Sequence, residues 1–279
     1  MDKIAILLAS YNGEKYLGGQ IDSIIKQTYT DWDLYIRDDG SKDQTIDIII
    51  DYCQKDKRIH HFEDKVVHIG AKNSFLKLLE NVKSDLYMYC DQDDVWLPTK
   101  IEHSINLYNT VRAKFDTPIV IHTDAEVVDS ELHTINKSYW RSAHIVPERY
   151  NRNYKLLAIM TCTQGTTMLF NDKAKELCFP YGDYFTMHDW WVSTRVLKAG
   201  GHIEALHEAT ILYRQHSSNV YGVSYGEDLK MLTKIKKLSE VYSVNKKKYL
   251  YLKMDGYGGF LKYLFNKMRI VYYRFVLDR

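Results

Sequence analysis

Between residues 3 and 121, short apolar runs alternate with stretches whose apolar residues recur every three or four positions. This alternation predicts the strands of a parallel sheet covered by helices, and it constrains the fold more than any single motif does. Residues 3–9 read as a buried strand, and Leu17, Ile21, Ile24 and Ile25 follow at helical spacing. Trp32, Leu34 and Ile36 alternate with polar residues up to Asp38, giving a second strand. Ser41-Lys42-Asp43-Gln44 has the form of a capping box and predicts a helix entering at Ile46. Further strands are expected at 59–63, 86–90 and 119–121, with helices at 73–81 and around Ile101, Ile105 and Tyr108. After residue 130 the period is lost. The spacing then predicts a strand at 166–170, a helix at 189–198 stopping at Gly200-Gly201, and two short strands at 202–206 and 210–213.

Charge and cysteine usage narrow the class. A net charge of +2 over 279 residues gives no reason to expect a nucleic-acid partner, and 14 Gly, 4 Pro and 4 Cys exclude collagen-like and disulfide-framed chains. Cys53, Cys90, Cys162 and Cys178 are widely spaced and read as buried apolar residues of a reducing compartment. The apolar run after Met1-Asp2-Lys3 ends at Ala9, too short for a secretory signal, and no uncharged apolar stretch approaches the roughly 18 residues of a spanning helix. A cytoplasmic location is expected. The charge is uneven, however: residues 230–279 carry 13 basic and 3 acidic side chains, a net of +10, which leaves the preceding part at −8. Two parts are expected, a body over 1–220 and a basic, aromatic helical extension over 221–279, with the boundary near 221–226. The 23 tyrosines suit surfaces that are half apolar and half hydrogen-bonding, as at sugar sites or membrane interfaces.

In open α/β sheets, ligands sit beyond the carboxyl ends of the strands. The first strand here ends in Ala9-Ser10-Tyr11-Asn12-Gly13, the second in Asp38-Asp39-Gly40-Ser41 and the fourth in Asp91-Gln92-Asp93-Asp94. Each alone is compatible with an ordinary turn; together they converge on one crevice. Three carboxylates within four residues, directly after a central strand, raise one another's pKa unless a cation neutralises them. Hard oxygen ligands suit Mg²⁺ or Mn²⁺. Neither GxGxxG nor GxxxxGK[ST] occurs, so a nucleotide diphosphate bound here would be neutralised mainly by that cation. Asp124, after the strand at 119–121, is a candidate for the acceptor side, and Gly165 permits close backbone approach to a donor sugar.

These motifs, with Val95-Trp96 after the acidic cluster, His188-Asp189-Trp190-Trp191 and Tyr213-Arg214-Gln215-His216-Ser217-Ser218-Asn219 downstream, resemble the family 2 glycosyltransferases of GT-A fold. The Asp-Gln-Asp-Asp-x-Trp form is similar to the rhamnosyltransferase-type branch that builds bacterial surface polysaccharides. The resemblance covers roughly residues 3–220. It implies a Rossmann-like, mostly parallel central sheet flanked by helices, followed by a C-terminal helical extension. It implies that Ser10, Tyr11, Asn12, Asp39, Asp91 and Gln92 line the nucleotide-sugar site, with Asp39 at the base or ribose. Asp93 and His216 would hold the divalent cation, Mn²⁺ or Mg²⁺, and Asp189 would be the general base. One departure is notable: where many relatives have Glu-Asp, this chain has His188-Asp189, so Asp189 is the only carboxylate at that place. Of Trp190 and Trp191, one is expected to face the core and the other a sugar ring.

Sugar transfer from a nucleotide diphosphate needs a stabilised leaving group and an activated hydroxyl. One base and one cation-held diphosphate describe a single, inverting displacement. The implied donor is dTDP-L-rhamnose and the acceptor a saccharide or lipid-linked saccharide; a homo-oligomer is compatible with this reading. A nucleotidyltransferase would need cations near the first strand for a triphosphate, where only Lys15 stands. A non-catalytic sugar-nucleotide-binding adaptor is opposed by the intact acidic cluster and Asp189. In the basic tail, residues 260–275 mix cations with Phe, Tyr, Leu and Ile in the manner of an interfacial helix, so an anionic membrane surface on the inner face of the plasma membrane is an expected partner.

Overall fold

The computed structural model describes residues 2–181, 187–216 and 238–276. The first third is built as the alternation predicts: β1 (Ile4–Ser10), α1 (Leu17–Ile25), β2 (Trp32–Asp38), α2 (Thr45–Lys55), β3 (Ile59–His61), α3 (Gly70–Asn81) and β4 (Leu86–Asp91). A two-residue β5 (Val95–Trp96) precedes α4 (Lys100–Arg112) and the long β6 (Ile119–Val128). The aperiodic stretch becomes β7 (Thr134–Asn136) and three single-turn helices, α5 (Tyr139–Ser142), α6 (Glu148–Asn151) and α7 (Tyr154–Leu157). Then come β8 (Met168–Asn171), α8 (Asp172–Glu176), α9 (His188–Lys198), β9 (His202–Arg214), α10 (Leu238–Met254) and α11 (Phe260–Phe275).

The strands form one mixed sheet in the order β3-β2-β1-β4-β8-β6-β9-β5, with β7 on the side of β6. The parallel expectation holds from β3 to β4 and again between β6 and β9. It fails at β8, which runs antiparallel between β4 and β6. Alternate residues of β1 serve opposite faces: Ile4, Ile6 and Leu8 join the core under α1, α2 and α4, whereas Ala5 and Leu7 join the core under α3, α9 and the C-terminal helices.

Three local expectations are corrected. Ser41 does not cap α2: its hydroxyl bonds Asp38 and accepts the Asn12 N–H at 2.8 Å, and Asp43 instead accepts the Thr45 N–H. The two strands foreseen at 202–206 and 210–213 are one, because β9 passes its irregularity as a register shift against β6 without leaving the sheet. Asp124 lies inside β6, where its carboxylate accepts the N–H groups of Ala125 and Trp140 and organises the turn into α5. The expected boundary at 221–226 and the cations at 234–237 lie outside the described residues.

Candidate active site

The carboxyl ends of β1, β2 and β4 are stitched together by the side chains that the motifs supply. Gln92 Oε1 accepts from Ser10 Oγ at 2.8 Å and from the Tyr11 N–H at 2.9 Å, and its amide donates back to the Tyr11 carbonyl. Gly13 is required for this closure, since a Cβ there would lie 2.3 Å from Gln92 Oε1. Asn12, at φ 46°, receives the Lys42 N–H and so ties the first loop to the second. Tyr11 stays exposed, with its ring edge-on to His68 at 5.9 Å. Ser10, Asn12 and Gln92 thus shape the floor of the crevice, and Tyr11 stands at its rim; His68 is a rim residue that no motif announced.

Asp39 is buried and heavily engaged. It accepts from Arg37 and from the N–H groups of Ile69 and Gly70, capping the start of α3. Arg37 is fully buried and also bonds Asp64 and Ser74. Removing one member of such a cluster strands the others without compensation. Arg37→Met is therefore expected to lower the unfolding free energy by about 3–5 kcal/mol, read by urea denaturation; a loss below about 1 kcal/mol would show the cluster to be dispensable.

The acidic cluster is deep. Asp94 is fully buried, its carboxylate accepting from Thr166 Oγ1 and the Arg214 N–H, each at 3.0 Å. Burial together with Asp93 and Asp91 pushes the Asp94 pKa well up. Asp91 is pushed up to about 7 by burial, then by Asp93 and Asp189. Asp93 Oδ2 meets His216 Nε2 at 2.8 Å. Two cations that sequence reasoning missed lie beneath. Arg214 Nε donates to the Asp93 carbonyl at 2.7 Å, and Lys100, fully buried over the Trp96 ring, has its pKa lowered to about 7 by burial. The signal for Arg214 was its place inside a motif already singled out; nothing in the spacing marked Lys100.

Asp189 occupies the first turn of α9, where Oδ2 accepts the Gly165 N–H at 3.0 Å and Oδ1 the Trp190 N–H at 2.6 Å. Burial nevertheless raises its pKa to about 6. His188 is buried against Phe75, ring centroids 4.1 Å apart, and edge-on to Tyr89 at 4.5 Å. Its ring nitrogens lack hydrogen-bond partners among the described residues, and burial lowers its pKa to about 3, so it is neutral. Gly165 is needed for room, because a Cβ would stand 2.8 Å from His188 Nε2. Trp191 is a core residue whose indole N–H donates to the Cys178 carbonyl, which leaves no face for a sugar. Trp190 is half-buried, donating to the Leu157 carbonyl beneath Lys248, whose Nζ sits 4.0 Å from the ring centroid. Residues 217–219 of the last motif lie outside the described residues.

The donor set fits a divalent cation. One carboxylate and one imidazole already meet, a second carboxylate is close enough to raise its neighbour's pKa, and such ions complete their shell with phosphate oxygens and water. Among the described residues no three His, Cys, Asp or Glu side chains are gathered into a cage, so the remaining ligands would come from substrate and solvent.

A mixed α/β sheet whose β4-end acidic loop lies close enough to the buried Asp189 of α9 for that carboxylate to raise the pKa of Asp91 has the arrangement of a GT-A fold. The chain belongs to glycosyl transferase family 2, whose profile matches residues 5–178. It is 30% identical over 133 residues to an uncharacterized glycosyltransferase of Rickettsia typhi, a match covering 47% of this chain and 39% of that relative. The matched part thus spans well under half of that protein. It is 26% identical to the dTDP-rhamnosyl transferase RfbG of Shigella flexneri, over 78% of this chain and 74% of the relative. Among solved structures it superposes on Staphylococcus aureus TarS with a TM-score of 0.60 at 17% identity, covering 76% of this chain and 37% of that one. A shorter TarS chain solved with UDP-GlcNAc gives 0.56 at 15% identity, covering 80% and 62%.

Proposed function

We propose that this glycosyltransferase inverts the anomeric carbon as it moves a sugar, L-rhamnose from dTDP-L-rhamnose, onto a saccharide or lipid-linked saccharide of the cell surface. The observation that carries the reading is the buried Asp189 carboxylate, close enough to the acidic loop to raise the pKa of Asp91. The donor assignment draws on the name of the Shigella relative, and a nucleotide-sugar donor in general draws on the UDP-GlcNAc complex of TarS.

In this reading residues 1–220 are the catalytic domain. The stitched ends of β1, β2 and β4 hold the nucleotide, with Tyr11 at its rim. Asp93 and His216, with Asp91 beside them, would hold Mn²⁺ or Mg²⁺, which when bound stabilises charge on the departing diphosphate. Asp189 is held by two backbone N–H groups on the α9 turn, and its carboxylate accepts the proton of the acceptor hydroxyl as that oxygen attacks. His188, buried and neutral, excludes water from behind Asp189 without contributing charge. The extension over 221–279 keeps the enzyme peripheral on the inner face of the plasma membrane, where a lipid-linked acceptor would be found.

A thermal-shift panel of nucleotide sugars, with and without Mn²⁺, tests this. A cation-dependent rise with dTDP-rhamnose, larger than with UDP- or GDP-sugars, is expected. A panel in which no nucleotide sugar stabilises the protein in the presence of Mn²⁺ would overturn it.

A further inference from the structure

Helix α11 is anchored along one edge and bare along the opposite one. Tyr263, Asn266 and Ile270 are buried, and Asn266 donates to the Tyr257 hydroxyl, which in turn donates to the Lys155 carbonyl on α7. On the other side Leu261, Phe265, Met268 and Tyr272 are 81%, 57%, 64% and 48% exposed. At 3.6 residues per turn these four fall within an arc of about 60°. Val271 and Val276 widen the stripe, and on α10 Leu250 and Met254 are exposed as well. Single exposed apolar residues are ordinary on protein surfaces; a continuous stripe of large ones is a contact surface.

The charges around the stripe identify what it contacts. By the same helical spacing Lys262 and Arg269 flank the stripe, whereas Lys267 and Arg274 turn back toward the body, where they bond Asn245 and the Ala143 carbonyl. Lys246 and Lys253 are exposed beside Leu250 and Met254. No acidic residue occurs between Gly256 and Val276. Asp255, at the turn between the helices, faces inward, where Arg195 and Lys198 neutralise it and Tyr154 donates to it. Two copies meeting stripe to stripe would set cation against cation with no acid between them. An acidic lipid surface answers both features at once, taking the apolar side chains into its outer acyl region and the flanking cations at its phosphates. No helix among the described residues is long and apolar enough to cross a membrane, so the helix would lie in the interface.

We propose that the outward stripe of α11, extended by Leu250 and Met254 of α10, is the docking face for the anionic leaflet of a lipid bilayer. The hairpin also orients the site. Lys248 of α10 donates to the Ile159 carbonyl and covers Trp190, the residue after Asp189, while Arg149 and Arg274 bond the Tyr273 and Ala143 carbonyls across the α11 contact. Docking therefore fixes how the first turn of α9 faces the leaflet. That last consequence rests on the transferase reading; the docking itself does not.

The test is sedimentation of the full chain with vesicles of phosphatidylcholine alone or with about one-third phosphatidylglycerol. Binding to the acidic vesicles only, weakened by salt, is expected. Phe265→Ser with Met268→Ser should reduce it at least about tenfold, and Lys253→Gln with Lys262→Gln by roughly twentyfold. All four side chains are solvent-facing or flanking, and circular dichroism checks that the variants fold. Wild-type protein that stays in the supernatant, or a serine variant that sediments like wild type, overturns the proposal. So does a stable dimer that the serine substitutions dissolve. Nucleotide-sugar thermal shifts on the same samples separate the two readings: vesicle binding without any nucleotide response would leave docking intact and sink the proposed donor chemistry, and the reverse would sink docking, and the peripheral location with it, while leaving the donor chemistry standing.

Discussion

Asp189→Asn is expected to slow sugar transfer by about 10²–10⁴-fold while leaving the thermal shift produced by the donor nucleotide unchanged. The amide keeps the size and place of the carboxylate at the start of α9 but cannot accept a proton. The carboxylate it replaces is held near pKa 6 by burial, against two backbone N–H groups that oppose the rise. Transfer by the wild-type chain is therefore expected to fall as pH drops through about 6, because the protonated form is no longer a base. Single-turnover rates across that range check this. A variant that retains transfer, or a wild-type profile flat from about pH 5 to about pH 7.5, would mean that another group takes the proton.

The second large effect is a reversal of sign. Asp91 titrates at about 7 in the folded chain, far above its value of 3.8 when unfolded. A raised carboxyl binds protons more tightly in the folded state, so its contribution to stability is fully present below about 4 and is lost as pH rises through about 7. Asp91→Asn is therefore expected to stabilise the cation-free protein at pH 8, by up to about 4 kcal/mol. It should do little at pH 4, and it should blunt the stabilisation that Mn²⁺ gives the wild type. That stabilisation should itself grow with pH, since ligands must be deprotonated to bind. The comparison is made between variant and wild type at each pH because His122 and His188, buried neutral with pKa values lowered to about 4 and about 3, destabilise both proteins in acid. Chemical denaturation with and without Mn²⁺ measures all of this. An Asn variant less stable than wild type at pH 8 without cation would show that the acidic loop is already neutralised from within, by Arg214 and Lys100.

The sequence made the parallel half of the sheet readable because each of its elements is decided locally. Ile4, Ile6 and Leu8 on one face and Ala5 and Leu7 on the other need only the two-residue period, and the helices between need only theirs. The antiparallel entry of β8 depends on pairings with β4 and β6 far away in the chain, which no window of residues encodes. The site divides in the same way. The motif ends of β1, β2 and β4 were legible, yet several of their side chains turn out to bond one another: Gln92 to Ser10, Asn12 to the second loop, Asp39 to α3. Composition cannot tell a polar residue that closes a loop from one that awaits a ligand. Of the two tryptophans, spacing could not say which would face the core; the bond from its indole N–H to the Cys178 carbonyl makes it Trp191, and the room that Gly165 leaves for His188 had no signal in the sequence. Lys100 carried no signal because a lysine on an amphipathic helix is ordinarily solvated; only the closeness of Trp96 and Thr210 reveals it as interior.

The contact between Asp93 and His216 joins positions 123 residues apart. During synthesis on the ribosome, the acidic loop emerges long before the strand that ends beside it, and Arg214, which grips that loop from beneath, arrives with the same late segment. A nascent chain thus carries its trio of aspartates unpaired through the synthesis of the 123 residues that separate Asp93 from His216. The pairing of Asp93 with His216 and the grip of Arg214 are therefore late events, completed only when the strand that carries them has docked.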